Sequence, residues 1–183
     1  MGRYRARDAV RLPSLISWSR VPLALLFPFA VHDPWLAATV LLAAALSDVV
    51  DGALARRLGL VTATGAVIDG LTDKLFVATV VVTLVVVGTL PASATLLLGA
   101  REIGEAPLVV WYAVSARLRR ARVQAPAANV PGKVATVLQF AAVVFAIFGS
   151  PHTTALLWGT GAAGVIAAIS YARRAVGLYR AFP

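Results

Sequence analysis

The chain has 183 residues, 60% of them hydrophobic and only 14% charged, and its mean hydropathy of +0.83 excludes a water-soluble domain, which could not hide that much apolar surface. It contains no cysteine, so disulfides and thiolate-metal chemistry are excluded as well. The formal net charge of +9 would suggest nucleic acid in a soluble protein, but where the charges fall matters more than their sum.

Six segments are long and apolar enough to span a bilayer as helices: 13–31, 35–57, 64–88, 92–116, 131–149 and 153–173. The first is read as a retained helix rather than a cleaved signal peptide, because no small-residue cleavage site follows it and further apolar runs do. Pro34, Pro91, Pro131 and Pro151 fall near helix starts, where a missing N–H costs little. No internal repeat, low-complexity tract or linker breaks the chain. The expectation is therefore an all-α, polytopic membrane protein whose residues 1–183 form a single domain.

Basic residues set the orientation. Arg3, Arg5, Arg7 and Arg11 precede the first segment, and Arg56 and Arg57 lie between the second and third. Arg117, Arg119, Arg120, Arg122 and Lys133 lie between the fourth and fifth, and Arg173, Arg174 and Arg180 follow the sixth. Fourteen of the 17 basic residues thus fall on one side, while the connections near 32–34, 89–91 and 150–152 carry none. The positive-inside rule makes the basic side, with both termini, cytoplasmic. Topology and lipid headgroups account for these arginines, so nucleic acid is not a partner.

Four of the eight acidic residues are concentrated in one stretch, Asp48-x-x-Asp51-Gly52-x-x-Ala55-Arg56, eight residues, then Gly65-x-x-x-Asp69-x-x-x-Asp73. Carboxylates are costly in hydrocarbon and mark function there. At about 100° per residue, Asp48, Asp51, Gly52, Ala55 and Arg56 share one helix face roughly 140° wide. Thr62, Gly65, Asp69, Thr72 and Asp73 form a second stripe, from which Lys74 points away. If the second and third helices are antiparallel neighbours, the stripes face each other and four carboxylates converge at the cytoplasmic end. Four such anions must protonate or recruit counter-charge. Two divalent cations balance them, and a pair about 3.5–4 Å apart suits displacement at phosphorus. Mg²⁺, which prefers carboxylate, water and phosphate oxygens, is the natural ion. Gly52 and Ala55 leave a bare floor beside it, and Arg56 is placed to hold a phosphate. The competing reading pairs the aspartates with Arg56, Arg57 and Lys74 as interfacial ion pairs.

This block resembles the signature of the CDP-alcohol phosphotransferases, D-x2-D-G-x2-A-R-x8-G-x3-D-x3-D, at every defined position. The resemblance implies a six-helix enzyme of the cytoplasmic membrane, usually a homodimer. Such an enzyme moves a phosphoalkyl group from a CDP-linked donor to an alcohol and releases CMP at a site facing the cytosol. It implies two Mg²⁺ or Mn²⁺ ions bridged by Asp48 and Asp69, with Asp51 on one and Asp73 on the other. Asp73 is also the implied general base, and Gly52, Arg56 and Thr62 the implied contacts to the CDP moiety.

Further stretches are similar to the phosphatidylglycerophosphate synthase branch. Leu12 to Arg20 is similar to its N-L-x-T-x-x-R segment. Asp69-Gly70-Leu71-Thr72-Asp73-Lys74-Leu75 resembles D-P-x-x-D-K-L, with Gly70 in place of proline. Arg101-Glu102 resembles an R-E pair, and Gly132 to Gln139 resembles G-K-x-K-T-x-x-Q, with Ala135 in place of the second lysine. The branch implies CDP-diacylglycerol as donor and glycerol 3-phosphate as acceptor. Cardiolipin-type transfer and an inositol-phosphate-type acceptor are the alternatives. An anionic acceptor needs cations near the metals, and Lys133, Arg101 and Arg20 are the candidates. Each has a plainer role: Lys133 as a snorkelling loop residue, Arg20 as an ion-pair partner on the first helix, Arg101 as the partner of Glu105. A different class, a divalent-cation or phosphate transporter using the same carboxylates, would place its site near the midplane between repeats.

Overall fold

The structure, a computed structural model, describes residues 17–58, 63–115 and 130–181. Every regular element among them is helical, and the chain forms two compact units, Met1–Thr89 and Leu90–Pro183.

In the first unit α1 spans Arg20–Ala30, α2 Pro34–Arg57 and α3 Ala63–Val86. Arg20, Ala24, Phe27 and Ala30 are the buried positions of α1, and their spacing places them on one stripe. That stripe packs against both α2 and α3. Among the described residues α1 thus packs on both aspartate-bearing helices. Ala37, Val40, Leu41 and Ala44 of α2, and Phe76, Val80, Val81 and Leu84 of α3, are buried. Asp33 opens α2 by accepting the backbone N–H groups of Trp35 (2.9 Å) and Leu36 (3.2 Å), with Pro34 as first residue, where no N–H is needed. Gly88, at φ 78°, turns the chain after α3.

In the second unit α4 spans Ala94–Leu98, α5 Ala100–Val114, α6 Val130–Ile147 and α7 Thr153–Ala181. The single helix expected over 92–116 is broken at Gly99, whose backbone (φ −86°, ψ 2°) departs from helix. Gln139 of α6 donates its Nε2 to the Leu98 carbonyl at 3.2 Å, the kind of side-chain supply that lets a helix break survive in an apolar setting. The last helix continues past the expected residue 173 to Ala181, its end held by the Trp111–Tyr179 ring contact (centroids 5.4 Å apart). Helix α7 packs on α4, α5 and α6 through small residues. A Cβ on Gly164 would lie 2.9 Å from the Arg101 backbone nitrogen, and one on Gly104 would lie 2.5 Å from the Ala168 Cβ. Such close backbone approach is typical of helix packing in membranes.

Three helices among the described residues are long and apolar enough to cross a membrane: Pro34–Leu54, Val130–Ile147 and Thr153–Gly177. Helix α1 is short, α4 and α5 are interrupted, and the charges at Asp69, Asp73 and Lys74 occupy the start of α3. Large apolar side chains such as Phe29, Trp35, Val86, Val137 and Trp158 face outward. A bilayer, not water, is the medium that this surface fits.

Candidate active site

Asp48 and Asp51 lie near the C-terminal end of α2, one turn apart, and Asp69 lies near the N-terminal end of α3. Each offers a carboxylate oxygen, and these oxygens all lie within 4.8 Å of one another. Two helices that run in succession bring their charged ends together at one end of the unit, as the stripes require. The exposures differ sharply. Asp51 is 4% exposed, whereas Asp48 and Asp69 are 54% and 44% exposed. One carboxylate therefore forms the floor of the group and two stand open.

The floor is built from the start of α1 and the residues just before it. Ser17 donates its hydroxyl to Asp51 Oδ2 at 2.7 Å and reaches Asp69 Oδ1 at 3.5 Å. Arg20, only 1% exposed, donates Nη1 to Asp69 Oδ1 at 2.8 Å. Its Nη2 donates to Asp48 Oδ1 at 2.7 Å and Asp51 Oδ2 at 2.9 Å, and its Nε donates to Ser47 Oγ at 3.3 Å. The planar guanidinium spreads its donors in a fork, so one side chain can hold three carboxylates at once, which an ammonium could not do with the same geometry. Breaking the buried Arg20–Asp51 pair by removing one partner costs about 3–5 kcal/mol, because the other charge is left unpaired. With three carboxylates and one guanidinium, two negative charges remain uncompensated among the described residues. A donor set of clustered carboxylate oxygens, two of them open, suits a hard divalent cation such as Mg²⁺ or Mn²⁺.

The other residues singled out by sequence fall as follows. Asp73 is exposed on α3, one turn beyond Asp69, and is not among the three carboxylates that meet within 4.8 Å. Gly52 is half-buried, next to Asp51. The side chain of Arg56, the surroundings of Gly65 and the whole of Thr62 lie outside the described residues. Arg20 touches the aspartates themselves, the ion-pair role that the sequence offered beside acceptor binding. Arg101 donates Nε to Glu105 Oε1 at 3.1 Å and Nη1 to Thr136 Oγ1 at 2.5 Å. Glu102 lies 3.9 Å away. The i,i+4 pair with Glu105 is thus formed within α5, and the bond to Thr136 ties α5 to α6. Lys133 is exposed near the start of α6.

Ser17 and Ser47 were not picked out from the sequence. Ser17 carried a findable signal, since it stands three residues before Arg20 and so shares its helix face. Ser47 shows none beyond preceding Asp48.

Comparison with known proteins agrees with this chemistry. The CDP-alcohol phosphatidyltransferase family pattern matches residues 10–169, which include every element of the cluster. A Mycobacterium tuberculosis protein named "Probable phosphatidylglycerophosphate synthase" is 30% identical over 185 aligned positions, covering 96% of this chain and 85% of that one. A Streptomyces coelicolor "Cardiolipin synthase (CMP-forming)" is 32% identical over 143 positions, 73% of this chain and 63% of that one. An Oryza sativa protein of the same name is 40% identical over 92 positions, 47% of this chain and 27% of that one. With a match across most of its length and three signature aspartates gathered at one point, the chain belongs to the CDP-alcohol phosphatidyltransferase family and is an enzyme of that kind.

Proposed function

We propose that this enzyme transfers the phosphatidyl group of CDP-diacylglycerol to glycerol 3-phosphate, giving phosphatidylglycerophosphate and CMP. The observation that carries the reading is the meeting of Asp48, Asp51 and Asp69 within 4.8 Å, in a chain similar over 96% of its length to a protein named for that synthase. Family membership and a site at the helix ends leave the transporter alternative without support.

The family uses a divalent metal, and Asp48, Asp51 and Asp69 are the residues that would hold it, with Asp73 completing a two-ion site. Bound there, divalent ions supply positive charge against the diphosphate of the donor and the departing CMP. The chain's own residues do the rest. Arg56 and Thr62 hold the CDP moiety over the side-chain-free Gly52. The acceptor hydroxyl oxygen bonds to the phosphorus that carries diacylglycerol, and the bond from that phosphorus to the oxygen of CMP breaks. The hydroxyl proton passes to the Asp73 carboxylate, which is exposed on α3 one turn from Asp69. Lys133 and Arg101 are the cations of the second unit available to an acceptor phosphate. Arg101 is already paired with Glu105, whereas Lys133 is exposed.

The same reading makes residues 1–183 one functional domain of six spans in the cytoplasmic membrane. Both termini and the site face the cytosol, and the enzyme works as a homodimer. The family match across residues 10–169, which runs through both compact units, supports treating them as one catalytic domain.

Likeness to cardiolipin synthases, together with Gly70 and Ala135 at positions where the synthase branch carries proline and lysine, keeps phosphatidylglycerol as a second acceptor to be tested. An acceptor panel decides between them. Purified protein, CDP-diacylglycerol and Mg²⁺ are combined with glycerol 3-phosphate, phosphatidylglycerol or inositol phosphate, and lipid product and CMP are read. Phosphatidylglycerophosphate formed from the first bears the proposal out, and product only from another acceptor overturns it.

A further inference from the structure

Arg20 is the one cation that the described residues place inside the aspartate group. It is anchored at several points, with all three guanidinium nitrogens used on Ser47, Asp48, Asp51 and Asp69. The three carboxylates it holds are the same three that can offer oxygens to a metal. Two cations that draw on the same anions compete, both for lone pairs and through mutual repulsion, and the more so where one of them is buried.

The charge balance points the same way. With Arg20 in place the three aspartates retain two negative charges, enough for one divalent ion. Two divalent ions match all four aspartates only when the guanidinium no longer neutralises them. Ser17 is not affected by this competition, since it is neutral and holds Asp51 at 2.7 Å by a hydrogen bond compatible with either partner.

We infer that Arg20 is an exchangeable resident cation of the aspartate cluster: its guanidinium keeps Asp48, Asp51 and Asp69 together until divalent ions claim their oxygens, and metal loading displaces it from them. Arg20 is thus a positioning residue that sets the metal affinity of the site. This rests on the reading of the cluster as the metal centre. It assigns Arg20 a role toward the metal rather than toward the acceptor.

The exchange has two linked consequences. Loss of the guanidinium removes a competitor, so metal binds more tightly. It also leaves clustered carboxylates unsupported when metal is withheld, so the protein without metal is less stable.

The test is Mn²⁺ binding to the purified full chain in detergent, followed by electron paramagnetic resonance of free Mn²⁺, with thermal unfolding read in parallel. Arg20→Gln, which keeps a polar side chain without the charge, is expected to lower the Mn²⁺ dissociation constant by about tenfold or more. Its unfolding temperature should be lower than wild type in chelator, and should rise further than wild type on adding Mn²⁺. Equal or weaker Mn²⁺ binding by the folded variant overturns the exchange.

Should that variant not assemble, the wild type carries the test. Phenylglyoxal modification of the Arg20 peptide, followed by mass spectrometry, should speed up when Mg²⁺ is added. Modification that is unchanged or slowed overturns the proposal. A wild-type chain that binds no Mn²⁺ overturns the metal centre and the exchange with it, whereas wild-type binding that Arg20→Gln fails to strengthen overturns the exchange alone.

Discussion

Asp48 and Asp51 stand one turn apart on the same helix, yet one is open and the other buried on Ser17 and Arg20. That contrast separates support from ligation. Ser17→Ala removes a hydrogen bond to a buried carboxylate and is expected to cost about 1.5–3 kcal/mol of stability, seen as a lower unfolding temperature. Asp48 and Asp69 keep one face open to ligand, so Asp48→Asn or Asp69→Asn should abolish CMP release while the protein still purifies as an assembled species. Full turnover in EDTA would contradict a metal-dependent site. Asp73 lies outside the three-carboxylate group, which suits a base better than a bridging ligand. Asp73→Asn is therefore expected to lower kcat by about 10²-fold or more with donor KM largely kept; joint loss of donor binding and kcat would make it chiefly a ligand. The aspartates were legible in the sequence because charge in an apolar chain is conspicuous and helical spacing gives the face. The partner that gathers them was less so. A lone arginine on the first helix reads equally as a substrate contact or an ion-pair partner until its distances to the carboxylates are known.

At the level of helices, most boundaries followed from apolar runs bounded by proline, glycine and charge. The exceptions have physical causes. Nothing in the hydropathy of 92–116 marks Gly99 as a break, because the helix resumes at once and the Leu98 carbonyl is met by Gln139, 41 residues further along the chain. Nor does the α2 stripe reveal that α1 packs on it, since buried alanines such as Ala37 and Ala44 fit any close-packed helix. The glycines of α7 allow a sharp comparison. Gly164 faces the Arg101 backbone nitrogen at 2.9 Å and the Ala100 Cβ at 3.1 Å from its would-be Cβ, while at Gly159 nothing lies within 4 Å. Gly164→Leu should force α7 away from α5 and sharply reduce the yield of folded protein. Gly159→Leu should leave yield and unfolding temperature near wild type, as overpacking costs about 1–3 kcal/mol or more only where there is something to displace. Equal tolerance at both positions would contradict this packing.

For the molecule as a whole, the site works only if the aspartates open to the compartment that holds soluble nucleotide and acceptor. The charges that decide this are separate from the chemistry. The basic segments that include Arg57, Lys133, Arg173, Arg174 and Arg180 alternate along the chain with connections at 32–34, 89–91 and 150–152 that carry no lysine or arginine. Because cytoplasmic loops retain Lys and Arg, this alternation predicts that Asp48, Asp51 and Asp69, close in sequence to Arg57, lie on the cytosolic side. The chain has no cysteine, so single cysteines report position without a background. His32 and His152 are both exposed in the uncharged connections, and Arg174 is exposed on α7 beyond the apolar stretch. In intact spheroplasts, His32→Cys and His152→Cys are expected to react with a membrane-impermeant maleimide, whereas Arg174→Cys should react only after permeabilisation. Labelling of Arg174→Cys from outside would invert the orientation and put the aspartates on the side without CDP-linked donor. Labelling of His32→Cys but not His152→Cys would mean an odd number of crossings between them, and the six-span arrangement would fail while the metal site stood.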